Sequence, residues 1–268
     1  MRKNLDVNAL ATVSILCLVW GFQQVAIKSI ALQVEPVLQA AIRSGVSALL
    51  VAGFILLRGR SSGFDPKTIR PGLLTGALFA LEFFLVAQGL RFTSASHMAV
   101  LLYTAPIFAA LGLHLYEPRE RLSAGQWCGM FLAFFGIFLV FAGRPNEPTI
   151  SSAGMLLGDA FGLLAGAVWG ATTVVIRCTS LANARPAHTL LYQLSGGFVL
   201  LVPMAFVLGQ TNFNPEPFVY ANLFFQSVVI SFISYIVWFA LLRRYEAARL
   251  GVLTLSPPSS VSRLVSCC

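Results

Sequence analysis

Eight stretches of this chain are apolar for long enough to cross a lipid bilayer, and nothing else constrains its fold as strongly. They cover residues 9–30, 36–57, 71–90, 96–116, 124–143, 153–176, 187–208 and 218–241, and a ninth begins near Leu250. A hydrocarbon core of ~30 Å needs about 20 helical residues. Inside it each backbone amide must find its partner within the protein, which makes runs of this length α-helices. With 57% hydrophobic and 10% charged residues, the chain falls well short of the charge a water-soluble domain carries, about a quarter of its residues. The joints are short and hold breakers, the longest being "RGRSSGFDPKTIRPG" at 58–72, so no soluble domain fits between the spans. The first run follows Met1-Arg2-Lys3 but exceeds a signal-peptide core and lacks a small-x-small cleavage site, so it is read as a retained helix.

Charge placement orients the spans. With the N-terminus in the cytoplasm, the inner segments hold Arg2, Lys3, Arg58, Arg60, Lys67, Arg70, Arg119, Arg121, Arg177, Arg185, Arg243, Arg244 and Arg249. The outer ones hold Lys28, Arg91 and Arg144, and such an excess of inner cations is the positive-inside pattern. The net charge of +8 is spread between apolar runs rather than gathered on one face, which argues against a nucleic-acid partner. Cys17, Cys128, Cys178, Cys267 and Cys268 form no CxxC pair and have no matching histidines, so neither a disulfide framework nor a metal site is expected. No cofactor is expected either.

The chain also repeats itself. "LVWGFQQVAIKS" (18–29) lies over "AVWGATTVVIRC" (167–178) at a spacing of 149, so that Trp20-Gly21 falls on Trp169-Gly170. "LQAAIRSGVSALLV" (38–51) lies over "HTLLYQLSGGFVLLV" (188–202), pairing Arg43 with Tyr192. "LRFTSASHMAVLLYTAPIF" (90–108) resembles "LRRYEAARLGVLTLSPP" (242–258) with a two-residue slip. The unit is five spans; five is odd, so the second copy enters from the opposite side. Inverted repeats recur in secondary transporters, with the substrate site between the halves.

These elements, the "WG…K/R" of the first and sixth spans, the "AAIRSGVSALLV" of the second and the "TAPIF" of the fourth, resemble the EamA-type branch of the drug/metabolite transporter superfamily over Val13 to Pro257. The resemblance implies an all-α integral membrane fold of ten helices in two inverted five-helix repeats. Here that means eight complete helices and a partial ninth: a first repeat at 9–143, an incomplete second at 153–257 and an aberrant tail at 258–268. It further implies a multi-pass secondary transporter of the cytoplasmic membrane, exporting small metabolites or amino acids by alternating access between the repeats. The expected partners are the small-molecule substrate, the lipid bilayer and, as one option, a second copy in a homodimer.

The tail departs from that pattern. "SPPSSVSRLVSCC" (256–268) stands where the repeat calls for apolar helix. Shifted by one nucleotide, Ser259 to Cys268 would decode as apolar, small and glycine codons like those of the missing ninth helix. The sequence is therefore read as a truncated or frameshifted member, with a non-transporting remnant as the alternative.

Polar residues inside the spans are the candidate site. Glu82 is the twelfth residue of the 71–90 run, about 16–18 Å along a helix rising 1.5 Å per residue. At that depth it either faces a cavity, coupling protons or binding a substrate amine, or is a protonated side chain bonded to a neighbouring helix. Arg43 either meets a substrate carboxylate or snorkels outward. Trp20 and Trp169 are cavity wall or packing. Gln23, Gln24, Thr172 and Thr173 follow one turn later and would supply hydrogen bonds, and Tyr192 joins them as the counterpart of Arg43. Pro106 either frees a backbone carbonyl for binding or makes a simple kink. Gln88 reads as a helix-end amide, His97 as interfacial and Asp159 as lying in an outer vestibule. An intramembrane enzyme is the remaining alternative, but HExxH, a GxGD pair and paired carboxylates are all absent from the sequence.

Overall fold

In the computed structural model, residues 7–57, 65–116 and 152–244 are described, with a discontinuous set between 123 and 136. Helix α1 spans Val7–Ser29, α2 Pro36–Leu57 and α3 Pro66–Gly89. The fourth run is two helices, α4 Ala95–Leu102 and α5 Ala105–Tyr116. Then come α6 Ser152–Cys178, a 3₁₀ turn Ser180–Asn183 and α7 Pro186–Val207. The final described span joins α8 Pro217–Phe224, a π-helical segment Phe225–Ser234 and α9 Tyr235–Arg244. Among the described residues, seven helices are long and apolar enough to cross a membrane. They correspond to seven of the eight expected runs. The run at 124–143, the start of a ninth helix and the tail at 258–268 lie outside the continuously described residues.

Local chemistry explains the helix starts. Pro36, Pro66, Pro186 and Pro217 each open a helix, because the missing N–H falls where no intrahelical partner exists. Helix α3 begins five residues before the expected 71. Asp65 accepts the Lys67 N–H at 3.0 Å and caps the helix, and Pro71 is carried inside it. The bend in the fourth span lies at Tyr103 and Thr104, between α4 and α5. Pro106 sits in the first turn of α5, where its missing N–H needs no intrahelical partner.

The outward faces are what a bilayer requires. Leu49, Leu57, Leu73, Phe206 and Val207 are exposed to between 66% and 90%, an apolar surface too extensive for water. Helices α3 and α7 pack closely where Gly76 faces Gly196: a Cβ on Gly196 would lie 2.5 Å from the Gly76 Cα. Small residues set such approaches because helix association in lipid rests on dispersion contacts and interhelical hydrogen bonds. Where the C-terminal end of α1 meets the start of α2, a polar network ties the spans together. Gln39 donates to the carbonyls of Ile27 and Val34, Asn222 to that of Ala26, and Gln226 to Gln39 and Asn222. Such pairing offsets the cost of burying an amide in an apolar interior.

Candidate functional site

Helices α1, α3, α4, α6, α7 and α9 surround a cavity of about 720 Å³, open space at its mouth included. Its lining is mainly aromatic and aliphatic, with a few polar groups directed inward, the usual composition of a small-molecule site. Trp20 forms part of its wall. Its ring meets Trp169 edge to face at 5.6 Å between centroids and Trp238 at 5.3 Å, both at 80°. Its indole N–H donates to the Ser234 hydroxyl at 2.9 Å, and that bond orients the ring.

Seven of the ten residues singled out from sequence line this one cavity: Trp20, Gln23, Gln24, Glu82, Trp169, Thr172 and Thr173. Gln23 and Gln24 are buried, and the Gln23 amide nitrogen and Gln24 amide oxygen have no hydrogen-bond partner. Thr172 and Thr173 donate back to the carbonyls of Val168 and Trp169 on their own helix. Glu82 is 7% exposed, and no hydrogen bond or ion pair occupies it among the described residues.

The other three are placed elsewhere. Arg43 is fully buried on α2 behind the cavity wall, its guanidinium carbon 3.8 Å from the centroid of the Phe83 ring. Tyr192 packs its ring against Gly72, and its hydroxyl lies 3.3 Å from that of Thr68. Pro106 stays in the first turn of α5, while Leu102 and Tyr103 on the preceding bend reach the cavity. Gln88 pairs with Gln210 at 3.3 Å. Near the start of α4, His97 Nδ1 is 3.2 Å from Asp159, Thr93 donates to Asp159 at 2.6 Å, and Lys28 donates to the Thr93 carbonyl.

Sequence reasoning passed over Phe79, Phe83, Tyr103, Gln193, Tyr235 and Trp238, which also line the cavity. Gln193 follows Tyr192 directly, and one helical step turns a side chain by about 100°, enough to move from the α3 contact to the cavity. No group of three or more His, Cys, Asp or Glu suited to a metal occurs among the described residues.

A multi-pass helical bundle around a polar and aromatic cavity in its membrane-spanning part is the build of a membrane transporter. The chain belongs to the EamA-like transporter family, which matches it over residues 8–142 and again over 156–262. An uncharacterized transporter of Archaeoglobus fulgidus is 29% identical over 214 residues, covering 77% of this chain and 70% of its own. The uncharacterized transporter YoaV of Bacillus subtilis is 20% identical, covering 90% and 82%. A probable amino-acid metabolite efflux pump of Salmonella typhimurium is 26% identical, covering 90% and 80%. A solved crystal structure, described only as that of a protein, shares the fold at a TM-score of 0.74 and 18% identity, over 97% of this chain and 88% of that one.

Proposed function

We propose that this membrane transporter is a secondary exporter of small metabolites or amino acids, working by alternating access between two inverted repeats. One observation carries the reading: residues matched by the repeat, Trp20 and Trp169, meet in the wall of one cavity that also holds Glu82. A solute bound there would touch both halves, so a rocking of one half against the other would change its exposure. The export direction is supported by the Salmonella relative named as an amino-acid metabolite efflux pump. In this reading the protein lies in the cytoplasmic membrane with its N-terminus inside, as the cation bias suggests. Its assembly as monomer or homodimer is read by light scattering in detergent.

The test is transport by the purified chain in liposomes, using a panel of radiolabelled amino acids and small organic acids. Saturable, protein-dependent counterflow of at least one of them is expected. Flux equal to that of protein-free liposomes across the panel, with the protein inserted and folded, would sink the reading.

A further inference from the structure

The last described span does not stay α-helical along its length. It runs as α8 to Phe224, as a π-helix from Phe225 to Ser234 and as α9 from Tyr235. A π-helix bonds each N–H to the carbonyl five residues back instead of four, so it holds one residue more than an α-helix between the same two ends. Tyr235, Trp238 and Phe239, directly beyond it, line the cavity. Which residues of α9 reach the cavity is therefore set by whether the segment before them is π or α. Side chains of neighbouring helices hold the π form. Ser47 on α2 donates to the Ser227 carbonyl at 2.8 Å, and Trp20 on α1 donates to the Ser234 hydroxyl, which itself donates to the Ile230 carbonyl. Yet the buried Ser231 hydroxyl has no partner among the described residues, which destabilises this arrangement relative to one that pairs it. A ladder of rare geometry, flanked on both sides by α-helix and pinned by a few side-chain bonds, is an element with two arrangements.

We propose that residues 225–234 are a register switch in the cavity wall, converting between π and α and so changing which side chains α9 presents to the cavity. In the α form one residue fewer fits between α8 and the cavity. The positions held by Tyr235, Trp238 and Phe239 then pass to Ser234, Val237 and Trp238. One step of register turns each side chain by about 100°. Serine and valine in place of tyrosine and tryptophan widen the cavity on that side, and the Trp20 bond to Ser234 is released. The backbone bonds are remade in the new ladder, as the membrane interior requires. The switch deepens the transporter reading by naming an element that moves.

Its test measures register without any transport, so the switch and the transporter reading fail separately. In a full chain freed of its native cysteines, Trp20→Cys is combined with either Trp238→Cys or Val237→Cys and treated in membranes with a short bis-methanethiosulfonate. Trp20 and Trp238 are in ring contact in the π register, and Val237 takes the place of Trp238 in the α register. Both pairs are expected to link. Linkage of the 20–238 pair alone, or of neither, overturns the switch. Ser47→Ala deletes a bond that holds the π form and should raise the ratio of 20–237 to 20–238 product about fivefold, the effect of one hydrogen bond; an unchanged ratio overturns the two-register account. Hydrogen exchange on the unsubstituted chain in nanodiscs keeps the inference testable if the cysteine variants do not fold. Amides of 225–234 should exchange about tenfold or more faster than those of α7, because the ladder must open to change register. Exchange as slow as in α7 overturns it.

Discussion

Trp20 on α1 and Trp169 on α6, 149 residues apart in the chain, meet edge to face with ring centroids 5.6 Å apart. The equivalence first visible as a repeated Trp-Gly pair is thus a physical contact at the cavity wall. Edge-to-face rings gain about 0.5–1.5 kcal/mol beyond the area they bury, and the Trp20 N–H adds its bond to Ser234.

Replacing Trp20 by Phe keeps an aromatic ring and deletes that bond. Ser234 still donates to the Ile230 carbonyl, so no hydroxyl is stranded. A loss of about 1 kcal/mol is expected, seen as a lower unfolding temperature in detergent, with a changed substrate affinity because the ring is no longer held. Unaltered unfolding and affinity would show that the indole N–H contributes nothing.

Glu82→Gln removes the cavity's carboxylate while preserving its shape. Since Glu82 makes no hydrogen bond or ion pair among the described residues, the variant should insert and melt like the parent. Counterflow should nevertheless fall by about tenfold or more, the effect of losing an electrostatic contact worth ~1.4 kcal/mol. A parental rate at both acid and neutral pH would reduce Glu82 to a packing residue.

Gly196→Ala places a methyl group within 2.5 Å of the Gly76 Cα. Backbone cannot yield as a flexible side chain can, so α3 and α7 must separate. The expected destabilisation is about 1–3 kcal/mol, and melting of the variant beside Gly53→Ala, where a Cβ meets nothing within 4 Å, provides the control. Equal melting of the two would mean that the helices separate without cost.

Asp159→Ala should remove a tie between α4 and α6. Thr93 and His97 both lose their acceptor, and the loss is expected at about 1–3 kcal/mol. Asp159→Asn, which retains one acceptor oxygen, should fall between it and the parent. A pair of variants indistinguishable from the parent in thermal unfolding would rule out a holding role.

The proposed orientation is checked at two exposed positions, Lys67 and Asn214. In a chain freed of its native cysteines, Lys67→Cys should resist an impermeant thiol reagent in intact cells and Asn214→Cys should react. The opposite pattern would invert the topology.

The membrane-spanning character, seven of the spans and the family were legible from sequence alone. A helix in hydrocarbon must satisfy its own backbone, so its existence is written locally, as an uninterrupted apolar run with proline at its start. Which polar side chains share a cavity was legible only in part. In a water-soluble helix the polar face marks the outside, but lipid makes the outer face as apolar as the core, and the sequence carries little facing signal. The repeat recovered some of it, bringing Trp20 to Trp169 and their Gln and Thr neighbours to one wall. It did not reveal that Gln193 rather than Tyr192 faces the cavity, since Tyr192 is taken up by contact with Gly72 on α3. Nor did it place the bend at Tyr103 and Thr104, ahead of Pro106, or lay the Phe83 ring between Arg43 and the cavity. Those outcomes depend on how neighbouring helices rotate to fill shared space, and only the packed structure decides that rotation.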